Sequence, residues 1–176
     1  MKLSASCSQH FKYSDFFECS TTWQKTNTDN TLLSDDTYLA IKQISQTILD
    51  PIIDKFGKLT LTYGFCSSKL AYQIKKNPSP LISPNLDQHA GYELNSRGNR
   101  ICSRVGFACD FVIPDLNMKY VAQWVIENCD FDRLYFYSEN RPIHVSIGPE
   151  EKHQIVIMKQ LDNGRYIPRV VKEDNF

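Results

Sequence analysis

Between Thr37 and Phe56 the apolar residues fall at Ile41, Ile44, Ile48, Leu49, Ile52 and Phe56, the three-four spacing of an amphipathic helix. Ser34 to Asp36 supply capping oxygens and acidic charge at its start, Gly57 stops it, and Pro51 predicts a kink or a division because it lacks an N–H and crowds the preceding turn. Lys58 to Tyr63 then alternates as a strand does and ends at Gly64. A short helix is predicted from Ser67 to Tyr72. Asn77-Pro78-Ser79-Pro80 and Ser83-Pro84-Asn85 read as irregular loop, since the prolines forbid a regular element. Phe107 to Ile113 reads as a buried strand. Asp115 is placed to cap a helix that reaches about Cys129 through Met118, Val121, Ala122, Val125 and Ile126, with Lys119, Gln123 and Glu127 on its polar side.

Three further strands follow, Arg133 to Tyr137, Ile143 to Ile147 and Gln154 to Met158. Gly148-Pro149-Glu150-Glu151 is turn sequence, so the last two are expected to form a hairpin. Residues 1–36 are rich in Ser, Thr, Asp and Asn, but Phe11, Tyr13, Phe16, Phe17 and Trp23 interrupt them, which predicts a segment wrapped onto the core rather than a free tail. The stretch 165–176 reads as weakly structured. Together these elements predict one α+β domain over 1–176, with a small, mostly antiparallel sheet and helices packed on one side.

Composition narrows the function classes. Twenty basic residues balance twenty acidic ones, so no global field draws the protein to nucleic acid or to an anionic membrane, although a local basic patch stays open. Hydrophobic residues make up 41% of the chain, yet no apolar run approaches the roughly 20 residues of a membrane span. Met1-Lys2-Leu3-Ser4-Ala5-Ser6 passes into polar sequence without the apolar core of an export signal, and the expected location is cytoplasmic. The six cysteines form no C-x-x-C pair, and reduced, partly buried thiols are expected. No G-x-S-x-G elbow and no glycine-rich phosphate loop occurs.

The candidate chemistry lies in Asp87 to Asp110 and in Pro142-Ile143-His144-Val145-Ser146. Two imidazoles and a carboxylate, His89, Asp110 and His144, make a three-ligand catalytic zinc set with a fourth position for water or substrate. Glu93, four residues after His89 and on its face if that segment is helical, and Asp87, two before it, are candidates for a general base or for a carboxylate orienting the imidazole. Glu93 reads equally well as a solvated surface residue, and Asp87 as a loop or capping residue. Arg104 and Arg141 can bring positive charge to an anionic substrate or transition state, or serve as salt-bridge partners. Tyr135 and Tyr137 share one face of their strand, where packing is the commoner role. His10 reads as structural and His153 as exposed hairpin sequence.

With these elements placed, the chain from about His10 to Met158 resembles the zinc D-Ala-D-Ala carboxypeptidase and hedgehog-like superfamily, especially its phage and bacterial peptidoglycan-hydrolase branch. His10-Phe11, Glu18 to Thr22, Asp29-Asn30, Ile48-Leu49-Asp50-Pro51 and Phe56-Gly57 look like the family's opening and first helix, in the right order. Thr60 to Ser67 looks like its T-S-G-Y-R-S strand, and Asp87-Gln88-His89 resembles S-Q-H. Gly106 to Phe111 resembles G-x-A-x-D-F, Phe131-Asp132-Arg133-Leu134 resembles F-D-Q-L, and Ile143-His144-Val145-Ser146 resembles V-H-V-S.

The resemblance implies a hedgehog/DD-peptidase-like fold, one zinc ion on His89, Asp110 and His144, and hydrolysis of a peptide or amide bond in a peptide-like or other small anionic substrate. It also shows departures. The family holds its metal His and Asp on one tight turn, whereas here Gly91 to Arg104 reads as an insertion between them; aligned without it, Ser103 would stand in the histidine's place. The glutamate the family uses as base is answered only by Tyr137 or Arg141, and the arginine that holds a substrate carboxylate is answered by Cys66. Two functions therefore remain: a zinc-dependent hydrolase of altered specificity, or a binding or regulatory module of the same fold that has lost turnover and acts on a protein or nucleic-acid partner.

Overall fold

A computed structural model describes residues 3–78, 80, 82–162 and 164–176. Helices α1 (Tyr13–Glu18), α2 (Thr21–Thr26), α3 (Asp35–Ile44) and α4 (Asp50–Phe56) lead into strand β1 (Thr60–Tyr63) and helix α5 (Ser68–Lys75). After a long loop segment come β2 (Phe107–Val112), α6 (Met118–Asn128), β3 (Arg133–Phe136), β4 (Ile143–Ile147), β5 (Gln154–Gln160) and β6 (Tyr166–Val171), and a short 3-10 turn at Glu173–Asn175. The fold is α+β, and its six strands form one mixed sheet in the order β1-β2-β4-β3-β5-β6.

The predicted helix over 37–56 is present, and Pro51 leaves its mark on it. Ser45–Leu49 widens into a π-helical turn in which the Asp50 amide donates to Ser45 O. The wide turn absorbs the bond that Pro51 cannot make to the preceding turn, and the helix resumes as α4. The N-terminal stretch is pinned as its aromatics suggest, with Phe11, Tyr13, Phe16 and Phe17 buried in the main core.

Four sequence expectations are corrected. β4 and β5 form no hairpin: β4 pairs antiparallel with β2 and β3, while β5 pairs parallel with β3 and is the sheet's one parallel neighbour. The stretch read as a weak tail is the edge strand β6, antiparallel to β5 from Ile155↔Val171 to Gln160↔Tyr166. Asp115 sits in a turn at φ 62°, and α6 is capped instead by Asn117, whose side chain accepts from the Lys119 amide at 2.9 Å. The irregular loop holds where it is described, although Ser79 and Leu81 lie outside the described residues.

The fourth correction concerns Glu93. Gly91 to Arg104 is not helical; it forms a small turn closed by the Leu94↔Arg100 bridge. Glu93 is 3% exposed and its carboxylate accepts from the Ser34 amide at 2.9 Å, the Leu33 amide at 3.2 Å and Thr37 Oγ1 at 3.3 Å. A negative charge on free amides at a helix start is favourable, and the cap that Ser34 was expected to give α3 comes from Glu93 instead, since the Ser34 side chain makes no capping bond.

The sheet has two distinct faces. Phe107, Cys109 and Phe111 of β2, Leu134 and Phe136 of β3, and Ile143, Val145 and Ile147 of β4 belong to the core with Ile41, Ile44, Val121 and Val125 from the helices. The intervening residues, Asp110, His144 and Tyr135, point the other way because successive side chains alternate. That second face is the one His89 of the 82–106 segment approaches. Truncating Glu93 to Ala leaves the Leu33 and Ser34 amides without their acceptor, and is expected to lower stability by about 1–3 kcal/mol. The loss would appear as a lower urea midpoint at an unchanged m-value, and an unshifted midpoint would mean that the carboxylate does not hold α3.

Candidate metal centre

Strand register builds most of the site. Asp110 on β2 stands directly opposite His144 on β4, and His144 stands opposite Tyr135 on β3. On the other side, the register shift between Leu61 and Tyr63 brings Tyr63 of β1 opposite Asp110. Tyr63, Asp110, His144 and Tyr135 thus form one polar row across four strands. The row is packed edge to face: the Tyr135 and His144 rings are 5.1 Å apart at 86°.

His89 is lowered onto this row from the 82–106 segment. Its Nδ1 lies 2.9 Å from the carbonyl of Gly64, at the end of β1, and donates to it, which turns Nε2 toward Asp110. Its own carbonyl accepts from the Cys66 amide at 3.1 Å. The ring lies edge-on to Tyr63 and to His144, with centroids 5.1 Å away in both cases. Gly64 must be glycine for this contact to exist, because a Cβ there would stand 2.4 Å from the carbonyl oxygen of Phe16 in α1.

Neighbouring Gln88 locks the approach. Its side-chain amide donates to Val105 O at 2.8 Å, to Asp132 Oδ2 at 3.2 Å and to Ile147 O at 3.3 Å, and its backbone takes φ 63°. Asp132 is paired with Arg133, which also reaches Glu150 at 2.8 Å. One buried amide therefore ties both ends of the 89–105 loop to the ends of β3 and β4. At the same junction Gly106, at φ 121°, passes so close to β4 that a Cβ would overlap Ile147 O.

His89, Asp110 and His144 bring their ligating atoms within 4.8 Å of one another. His144 Nδ1 is 2.7 Å from Asp110 Oδ1 and His89 Nε2 is 3.4 Å from the same oxygen. His89 is fully buried, His144 nearly so, and Asp110 keeps 19% of its side chain exposed at the opening. His89 Nε2 and His144 Nε2 are buried and make no well-aligned hydrogen bond. Orphaned buried nitrogens are costly, and two of them beside a carboxylate fit a divalent cation in both donor type and charge.

The electrostatics are those of a metal-free acid–imidazole cluster. Burial works against charge on His89, but the carboxylates of Asp87 and Asp110 outweigh it and raise the imidazole to about 9. Burial likewise works against charge on Asp110, and the two imidazoles overcome it and hold the carboxyl well below its usual range. Burial, with the charges of Asp110 and Asp87, pushes the Tyr137 phenol upward, so it stays a neutral donor.

Of the other expected site residues, Asp87 and Arg141 are close and two are not. Asp87 accepts from the Ser83 amide through Oδ2 at 2.6 Å, while its Oδ1 is buried and has no hydrogen-bond partner among the described residues. Arg141 lines a small cleft of about 130 Å³ together with Asp110, Thr62, Tyr63, Tyr137 and Pro142. Arg104 does not line that cleft; it donates to the Tyr135 hydroxyl at 3.4 Å and reaches His144 only through that ring. Glu93 is committed to α3, and Ser103 is exposed while His89 faces Asp110. Tyr63, Gly64 and the Gln88–Asp132 pair were not singled out as site residues, although Gln88 and Asp132 stand inside quoted motifs.

No family model, curated protein or solved structure matches the chain.

Because His89 holds its proton to about 9 in the metal-free protein, against about 6.5 when unfolded, its contribution to stability is complete below about pH 6.5 and is lost as pH rises toward 9. Asp110, held low, contributes fully above about pH 4 and loses that contribution as pH falls. The metal-free urea midpoint should therefore decline between about pH 6.5 and 9. Zinc binding displaces the His89 proton, so apparent zinc affinity should rise about tenfold per pH unit from roughly pH 7 to 9. Titration with a competing chelator measures that slope, and a flat affinity would exclude His89 as a ligand.

Proposed function

We propose that this protein is a divalent-metal hydrolase, with zinc the first candidate, that cleaves a peptide or amide bond. The observation that carries the reading is the convergence of His89, Asp110 and His144, whose ligating atoms lie within 4.8 Å of one another, with an Nε2 on each imidazole buried and without a hydrogen-bond partner. The motif order supports a divergent relative of the zinc D-Ala-D-Ala carboxypeptidase and hedgehog-like superfamily, with His89, Asp110 and His144 as the residues that would hold the ion. A zinc ion in such a three-residue set polarises a carbonyl and lowers the pKa of water toward neutrality.

The remaining work falls to the chain's own side chains. The carbonyl of Gly64 fixes the His89 tautomer, leaving Nε2 as the donor atom. Asp87 is the carboxylate best suited to take a proton: its Oδ1 is buried and unpartnered, and its charge is felt by both His89 and Tyr137. It thus takes the role for which the superfamily uses a glutamate, whereas Glu93 is spent on α3. The neutral Tyr137 hydroxyl can donate to an oxygen that gains charge.

A second reading, a binding or regulatory module without turnover, is favoured by one observation: among the described residues no carboxylate other than that of Asp110 lines the cleft. The two readings separate in one experiment. Protein purified without a histidine tag should contain about one zinc per chain, and His144→Ala should lose it. Asp87→Asn should keep the zinc while turnover on a dipeptide and amide panel falls by about 10²–10⁴-fold. Stoichiometric zinc with no turnover of any panel member favours the binding module, and absence of zinc in the wild type removes the hydrolase.

A further inference from the structure

A cavity far larger than the metal cleft lies on another part of the molecule. A groove of about 730 Å³, against about 130 Å³ for the cleft, runs between α5 and the loops at 82–85 and 95–101, and the two share no lining residue. That is the size of a ligand site rather than of a packing defect. The floor is the outer side of a small second core, in which Ile74 and Ile82 are buried with Leu70 and Cys66. Both isoleucines line the groove together with Ile101 and with Tyr72, which is 63% exposed.

Charge is lopsided here, in a chain that is neutral as a whole. Among the described residues that line the groove none has a carboxylate, whereas Lys69 and Lys75 are cationic. Lys69 is neutralised by Asp29 at 2.7 Å. Among the described residues Lys75 has no carboxylate within 4.0 Å, and neither has Lys76, Arg97 or Arg100. Lys76 lies over the Tyr72 ring at 4.4 Å and Arg100 over the Tyr92 ring at 5.4 Å, contacts that hold the cations without neutralising them. Arg97 and Arg100 stand between Ser96 and Ile101 of the wall opposite α5.

We propose that this groove docks an acidic segment of a partner protein, with an apolar side chain of that segment on Ile74, Ile82 and Ile101 and its carboxylates on the basic rim of Lys75, Lys76 and Arg97. Charge complementarity selects the acidic segment. The floor selects a peptide over a nucleic acid: it is aliphatic, and Tyr72, the single ring among the described lining residues, has one face taken by Lys76, so successive bases find no stacking platform.

Both walls are preformed. At the start of α5 the Ser67 hydroxyl donates to Asp29 O at 3.0 Å and accepts from the Leu70 amide at 3.2 Å. Opposite, the Ser83 amide donates to Asp87 Oδ2 at 2.6 Å and the Leu86 amide to Ser83 O at 2.7 Å. Asn95 Oδ1 accepts from the Arg97 and Asn99 amides at 2.9 Å and 3.2 Å. Walls fixed in this way lose little freedom when a segment binds.

The test uses the full chain and fluorescein-labelled dodecapeptides of aspartate and glutamate that contain a pair of leucines at varied spacing. Fluorescence anisotropy should find members that bind about tenfold or more tightly than analogues in which every acid is replaced by its amide, or the leucines by serine. Lys75→Glu combined with Arg97→Glu, both exposed positions, should weaken the best peptide by about tenfold or more at an unchanged urea midpoint. Protein stripped of metal with a chelator should bind that peptide as untreated protein does, so the fate of the metal centre does not decide that of the groove. Absence of binding by every peptide, equal affinity for the acidic peptides and their amide analogues, or binding that survives the charge reversal overturns the proposal. Tighter binding of a labelled oligothymidylate overturns it in favour of a nucleic acid. A concentration-dependent dimer in sedimentation that the charge reversal abolishes overturns it in favour of a second copy of the chain.

Discussion

The register of β2 against β4 is the constraint on which the rest depends. It sets Asp110 opposite His144 on one face and Phe111, Cys109, Val145 and Ile143 on the other. Because strand side chains alternate with a period of two, a slip of one residue would drive a carboxylate and an imidazole into the apolar core and turn phenylalanine and valine outward. Fold stability and site geometry are therefore enforced by the same hydrogen-bond ladder. Gly106 marks the end of that ladder, where the backbones of the two strands come too close for any side chain.

The ladder supplies only two of the three candidate ligands, and the third depends on how a loop is closed. Both roots of the 89–105 loop are bound to the sheet through Gln88, and Gln88 is held in turn by Asp132 with Arg133. Beyond His89 the loop is tied to α3 by Glu93 and by the Tyr92 amide, which donates to Thr37 Oγ1 at 3.0 Å. A loop anchored at sheet and helix can vary at its tip without moving His89. His89 and Asp110 can therefore stand far apart in sequence and still meet at 3.4 Å, because the anchoring points and not the length of the loop set their separation.

Much of this was legible in the chain, for physical reasons that differ from element to element. The Ile41–Phe56 periodicity and the alternation in Phe107–Ile113 and Ile143–Ile147 are direct imprints of one buried face, and the structure returns them nearly at the expected bounds. The β4–β5 hairpin failed because Gly148-Pro149 signals a turn and not which strand lies next door; β5 passes β4 and pairs with β3, a non-local choice. β6 was missed because Pro168 breaks the strand pattern, and an edge is where a sheet tolerates a proline. Glu93 shows the same limit from another side. Residue type and spacing offered it as a base, but the free amides at the start of α3, some sixty residues earlier in the chain, claim its carboxylate.

The polar row is poorly explained as mere scaffold. A buried acid–imidazole cluster costs desolvation that well-packed apolar residues of similar size would avoid, and the same strands fill their other face with such residues throughout. A structural network would also be expected to close on itself, as the Gln88–Asp132–Arg133–Glu150 group does, where each charged partner meets another. The row does not close: His89 Nε2 and His144 Nε2 are left buried without hydrogen-bond partners on the two imidazoles that flank Asp110, which itself lines a cleft. Two polar clusters sit on one face of one sheet, one saturated and one open. The saturated cluster holds the loop, and the open one keeps donor atoms that could hold a metal ion.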